Sequence, residues 1–536
     1  MQVDPELLST RWEVIIIGSG AAGACSALGL QGKRVLMLDI GILPPANPLP
    51  NEPLYDLREK RGDLHEILLG SNFESLTPVS GDEISPKLKG PFIRFISERP
   101  ATIPADQEHG FKAVQSFALG GLANAWGAGV LRYNSSDLKG FPISVKELEP
   151  LYDELTERIG INGATDDDLT GYLGSPYGLQ PPFPLSPIMG DFMRRYEKKR
   201  EQLRSRGVSV GRTRAAILSQ PLRNRKPYEA FGQDFFWGPQ EAIYSPLFTI
   251  KELISAGSIR YQPSMRVTHF KELQEEVVVY ASDVKTEESY EFRASKVMLA
   301  AGALNSARIT LASFNDTSTK LPLLDNPVTF IPVVDPWRIG SPLQTNAFIG
   351  GELAILFPGE SVERPLQGSI YGLLGPLRTD LLREFPLSMR SNLVAGRYLV
   401  PALLMVQMFY PDQPSPKSWL KLNAGGGLQL TREGRLVRDR EGDICKILRK
   451  MGYLAFEQLC VRPIAGSSIH YAGTLAMSSS PQTPYSTDKN GRLEASKRVY
   501  IADAATFPSL PAKNHSFTLM ANALRIGRHV KETLNN

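Results

Sequence analysis

Apolar positions near the start of the chain change their spacing twice within thirty residues. Residues 14–17 are a continuous apolar run, as in a strand buried on both faces. Residues 21–30 are small and apolar, as in a buried helix that Gly32 ends. Residues 34–38 return to a strand that closes on Asp39. Helical spacing resumes over 141–160, where Leu148, Leu151, Tyr152 and Leu155 make one face. Ser144 with Glu147 forms a capping box there. Helices are also predicted near 57–69 and 188–206. Strands are predicted at 258–261, 265–270, 276–282 and 289–293. A further buried strand at 297–301 runs into a glycine turn and helix, a second return to the first sheet. Between 321 and 444 alternating stretches (VTFIPVVDP, TNAFIGGELAILFP, YLVPALLMVQMFYP, GLQLTREGRLV) predict an antiparallel sheet. The fold class is α/β with an added antiparallel domain.

The turn between the first strand and helix carries Gly18, Gly20 and Gly23 in GxGxxG spacing. The first glycine allows the tight turn, the second lets backbone approach a pyrophosphate, and the third lets helix pack on strand. Ala21 and Ala22 open the helix, whose free N–H groups face that pyrophosphate. Asp39 stands where an acid accepts from a ribose hydroxyl, and its charge argues against a 2′-phosphate. This stretch predicts an adenine dinucleotide and does not choose between NAD and FAD. Residues 40–110 are irregular and proline-rich, as in a span that wraps a domain surface or a cofactor. Residues 115–134 (QSFALGGLANAWGAGVLRYN) carry four glycines and small residues beside Asn124 and Trp126, a second segment able to approach a flat ligand.

Composition narrows the class. The chain has 536 residues, 42% apolar and 22% charged, with a formal charge of +4. It is long enough for two or more cores, and it has no basic patch that would suggest nucleic acid. The basic cluster at 194–206 reads as a solvated helix face. Cys25, Cys445 and Cys460 show no metal or disulfide spacing, which fits a reducing compartment. The N-terminus does not read as a signal peptide and no apolar run reaches membrane length, so a cytoplasmic protein is expected. Two of six histidines stand out. His470 lies in GSSIHYAGTLAMS. His515 follows Asn514 just ahead of a helix and is held by a rigid element. His65, His109, His269 and His529 read as structural or surface residues.

Five segments in order resemble the glucose–methanol–choline (GMC) family of FAD-dependent oxidoreductases: GSGAAG with Asp39, ALGGLANAWGAGVLR at 118–132, VMLAAGALNSARI at 297–309, HYAGTLAM at 470–477, and YIADAATFPSLPAKNHSFTLMANALRIG at 500–527. The resemblance implies a Rossmann-like FAD-binding domain built from 1–150, 246–320 and 455–536. A substrate-binding domain is expected from 151–245 and 321–454. It implies that His470 lies by the flavin N5 and that His515 is the second active-site residue. Gly120, Gly121, Asn124, Asp503 and Ala504 are implied around the flavin ring and ribityl chain, and Val267 at adenine. Ala125, Ala301, Ser516 and Phe517 complete the implied cofactor contacts. In pyranose-oxidase-like members the GGLANAW segment carries a flavin-linked histidine. Ala125 stands there, so FAD held without a covalent bond is expected.

The chemistry implied is oxidation of an alcohol to an aldehyde or ketone. His470 takes the hydroxyl proton and His515 orients the hydroxyl. FAD accepts the hydride. The substrate is expected among sugars, glycosides or polyol-like natural products, with oxygen or another electron acceptor as partner. A flavoenzyme of this fold with lyase or decarboxylase chemistry is the alternative. An NAD-dependent dehydrogenase leaves the C-terminal segments unexplained. The aromatic stretch 228–237 is read as a lid or as ordinary packing.

Overall fold

The computed structural model describes residues 3–46, 49–50, 52–76, 88, 90–229, 241–342, 350–361, 364–372, 388–434 and 440–535. Its first layer is a seven-stranded sheet. Strands Arg11–Ile17, Val35–Leu38 and Arg260–Gln262 run parallel, and the end of the long strand Ser289–Leu299 lies between Arg11–Ile17 and Val499–Ile501. The first half of that long strand pairs antiparallel with Val277–Asp283, which pairs with Met265–Glu272. The apolar run at 14–17 divides between two cores, as a strand covered on both faces requires. Val14 and Ile16 pack with the helices Ala21–Gly29, Val145–Ile159 and Ser516–Asn535. Ile15 and Ile17 pack with Ala303–Ser313 on the other side.

A second sheet is formed by Val328–Val334, Leu403–Phe409, Arg364–Gly372, Leu353–Ser361 and Ser209–Arg212, all antiparallel. One face covers the helices Pro187–Glu197 and Glu441–Lys450, burying Ile331, Val333, Leu404, Val406 and Met408. The other face roofs the main cavity.

Several elements differ from expectation. The predicted helix at 57–69 is two helices, Leu54–Lys60 and Leu64–Leu69. That at 188–206 is Pro187–Glu197 and Arg200–Arg204. The strands predicted at 289–293 and 297–301 are one strand. The apolar stretch 398–410 begins as the end of a helix, Met389–Leu399, and becomes a strand only at Leu403, after a 3₁₀ turn holding Pro401. GLQLTREG does not join the large antiparallel sheet. It makes Leu428–Arg432 in a four-stranded sheet whose Leu420, Leu422, Leu428 and Leu430 pack into the first domain's core. The capping box forms as read, with Ser144 N–H donating to Glu147 at 2.8 Å. Among the described residues no helix is long and apolar enough to cross a membrane.

Candidate active site

One cavity of about 1130 Å³ runs from the first glycine turn to both histidines. At its near end the backbone must turn sharply where no side chain fits. Gly18 has φ +101°, and a Cβ there would lie 2.6 Å from the Ala300 carbonyl oxygen. A Cβ on Gly23 would lie 2.0 Å from the Gly18 oxygen, so this glycine serves the helix–strand contact and does not line the cavity. Gly20 precedes the helix Ala21–Gly29 and offers no side chain to its first N–H groups. Gly20, Ala21 and Ala22 line the cavity. The open helix N-terminus suits a pyrophosphate.

Asp39 stands beside this turn. It accepts from Ser19 Oγ and, at 3.4 Å, from the Tyr261 hydroxyl. Burial outweighs these hydrogen bonds and one from the Ile40 backbone, and pushes its carboxyl up to about 7. It lines the cavity, where ribose hydroxyls would supply further donors. The cradle and this acid both fit the adenosine half of FAD. Ser19 also accepts from Gly120 N–H at 3.1 Å, tying the second glycine segment to the first. Sequence reasoning passed over Ser19 although it lies inside the GSGAAG motif.

Gly121, Asn124, Ala125, Val267, Ala301, Asp503, Ala504 and Ser516 also line the cavity. Gly120 does not line it, and neither does Phe517, whose ring is fully buried against Tyr152 at 5.2 Å. The Asn124 amide is used internally, donating to Leu119 and Gly121 carbonyls and accepting from Ser245. Asp503 accepts from Gly302 N–H at 2.9 Å and Ser306 Oγ at 2.5 Å, joining the C-terminal strand to the helix Ala303–Ser313. Of the aromatic stretch 228–237, Tyr228 lines the cavity and 230–237 lies outside the described residues.

At the far end His470 and His515 meet edge to face, their ring centroids 5.0 Å apart. The turn before His470 is strained. Ile469, a β-branched residue, has φ +60°. Asp325 holds that turn, accepting from Gly466 N–H at 2.7 Å and from Ser468 Oγ. Asn326 accepts at 3.0 Å from His470 Nδ1. Phe409 stacks on the His470 ring at 5.3 Å. His515 caps the helix Ser516–Asn535, accepting from Leu519 N–H at 2.8 Å through its carbonyl. Its neighbour Lys513 is wholly buried. The ammonium pairs with Asp137 at 2.7 Å and donates to the Arg132 and Tyr172 carbonyls. That anchor fixes the turn that carries His515. Burial lowers both imidazoles, His515 to about 4 and His470 well below its ordinary value, with His515 adding to the shift at His470. Both rings are therefore neutral at pH 7, and a neutral imidazole can take a proton.

Sequence reasoning missed Asp325 and Asn326, which lie in a connecting loop and reach His470 only through the tertiary fold. It also missed the sheet residues above the histidines, Phe330, Tyr371, Met405, Gln407 and Phe409.

Residues 453–523 match the family model described as GMC oxidoreductase. No curated protein matches the chain by sequence. Among solved structures the chain is similar to pyridoxine 4-oxidase from Mesorbium loti. That match has 15% identity and a TM-score of 0.60, covering 97% of this chain and 99% of that one. The likeness carries the fold over nearly the full length, and the family match covers the segment that holds both histidines. Over that segment the chain is similar to the GMC oxidoreductase family.

Proposed function

We propose that this protein is a FAD-dependent oxidoreductase that oxidises an alcohol to an aldehyde or ketone, with His470 as base and His515 as orienting partner. The observation that carries this reading is the single cavity joining the Gly18–Ala22 turn to the paired neutral histidines. FAD, when bound, supplies the hydride acceptor. Gly18, Gly20, Ala21, Ala22 and Asp39 would hold its adenosine and pyrophosphate, with Val267 near adenine. Gly121, Asn124, Ala125, Ala301, Asp503, Ala504 and Ser516 would hold the flavin half, without a covalent bond through Ala125. The FAD-binding part comprises 1–150, 246–320 and 455–536, and the substrate part 151–245 and 321–454.

The chain's own share of the reaction is proton handling and exclusion of water. The substrate hydroxyl sits between the two imidazoles, donates its proton to His470, and is oriented by His515. The roof of Phe330, Tyr371, Met405 and Phe409, which also carries the amide of Gln407, keeps the carbinol dry. The charged lining side chains, Asp39, Arg266, Arg308 and Asp503, all lie off that roof. This wall favours a flat, largely apolar alcohol over the sugar or polyol that the family resemblance suggests, because a sugar needs a polar partner for each hydroxyl it buries.

Anaerobic mixing of the holoenzyme with a panel of aromatic alcohols, polyols and sugars tests the reading. Loss of flavin absorbance with an alcohol supports it. On readmitting air, fast recovery with peroxide marks an oxidase and slow recovery a dehydrogenase. No bleaching by any alcohol would leave the fold with lyase or decarboxylase chemistry instead.

A further inference from the structure

The strand Leu403–Phe409 divides its side chains by alternation. Leu404, Val406 and Met408 are wholly buried beneath the sheet, while Met405, Gln407 and Phe409 face the cavity. The register places Phe330, Gln407 and Ser369 in one row across three strands. Pro332, Met405 and Tyr371 make the next row, and Val328, Phe409 and Gln367 the row on the other side. Gln407 is thus an amide flanked by Phe330 and Ser369, with Met405 and Tyr371 in the row on one side and Phe409 and Gln367 in the row on the other. Of the polar groups closest to it by register, Gln367 Oε1 is buried without a hydrogen-bond partner, and the others are engaged. Gln367 Nε2 donates to Ser369 Oγ at 3.2 Å, and Ser369 is bonded to Tyr371. Among the described residues the Gln407 side chain makes no hydrogen bond, and it opens into the cavity.

We propose that Gln407 is the specificity-determining residue of this site, reading a hydrogen-bonding atom on the substrate ring. The proposal rests on the alcohol-oxidising reading above. Phe409 stacks on His470, and Gln407 lies two residues along the same face, about 7 Å away at strand rise. That is roughly the breadth of a six-membered ring with its carbinol. A substrate whose carbinol reaches His470 therefore presents the opposite side of its ring to Gln407. The amide both donates and accepts, so it takes a ring nitrogen or a ring hydroxyl. A ring with neither leaves the amide buried and unpaired, which disfavours it by roughly 10- to 100-fold in kcat/KM. The substrate class named by this geometry is an aromatic or heteroaromatic alcohol with one hydrogen-bonding group distant from the carbinol.

The test compares benzyl alcohol, 3-hydroxybenzyl alcohol and 3-pyridylmethanol as probes of anaerobic flavin reduction in the FAD-loaded enzyme. The wild type is expected to prefer at least one polar probe by 10-fold or more. Gln407→Leu is expected to bring that ratio to near 1. Gln407→Glu, which accepts only, is expected to keep a preference for the hydroxyl and lose any for the pyridine nitrogen. It also serves if the leucine variant does not fold. A wild-type ratio near 1, or an unchanged ratio in both variants, overturns the role of Gln407 while leaving alcohol oxidation standing. Absence of bleaching by all three probes overturns it together with the aromatic-alcohol reading.

Discussion

His470 Nδ1 lies 3.0 Å from Asn326 Oδ1, and the rest of that amide leaves no choice of direction. Asn326 Nδ2 already donates to the Tyr410 carbonyl at 2.7 Å and the Pro511 carbonyl at 2.9 Å. Its oxygen must face the imidazole, so Nδ1 carries the proton and donates, and Nε2 holds the free electron pair. Asn326 thereby sets the tautomer a base needs. Asn326→Leu is expected to lower kcat by about 10- to 100-fold with FAD retained, the usual worth of a group that orients a working histidine. Asn326→Asp keeps the acceptor and adds a charge. It should recover most of kcat and move the acid limb of the rate profile to higher pH. A pH–rate series on both variants checks this.

The two histidines also fix the pH response. With His470, the proposed base, held well below its ordinary value, its imidazole is neutral at pH 7, and the acid limb of kcat/KM should fall well below the ordinary imidazole range near 6.5. The sign for stability follows from the same shifts. An unfolded histidine titrates near 6.5. Between that value and the lowered folded ones the unfolded chain holds more protons, so these residues cost stability as pH falls from about 6.5 to 4. Above about 6.5 they contribute no pH dependence. Thermal melts of wild type and His515→Asn over that range should converge at neutral pH and separate in acid, the variant losing less.

Asp39 has the opposite sign. Its carboxyl, raised to about 7 by burial, is partly protonated at neutral pH when nothing donates to it from the cavity. Ribose hydroxyls favour the ionised form. FAD binding at pH 7 should therefore release about half a proton, read from the dependence of binding heat on buffer ionisation. Asp39→Asn should bind FAD more weakly and release none.

The buried Lys513–Asp137 pair supports the His515 turn from below. Lys513→Met leaves Asp137 as an unpaired buried charge and should destabilise the fold by roughly 3–5 kcal/mol. Adding Asp137→Leu should restore much of that. Denaturant melts of the three variants measure the coupling.

The first sheet was legible because its central strands are buried on both faces and read as unbroken apolar runs. The helix with the Ser144 cap was legible because its cap and periodicity agree. The stretch 398–410 misled because a continuous apolar run has no period to separate helix from strand. Alternation announced Leu428–Arg432 as a strand, yet nothing local says which sheet it joins. His470 and His515 could be found by motif and resemblance. Asn326 could not, being 144 residues from its partner. Gln407 was hidden for a different reason. It is the one polar residue in a run of apolar ones, and only the sheet register shows which face it takes.

In the proposed reaction everything turns on His470 as the base. Stopped-flow flavin reduction of the FAD-loaded wild type and His470→Ala, under anaerobic conditions with an alcohol that bleaches the wild type, measures that role directly. A fall of 100-fold or more in the limiting reduction rate, with FAD content unchanged, is the expected result. An unchanged reduction rate would contradict the assignment.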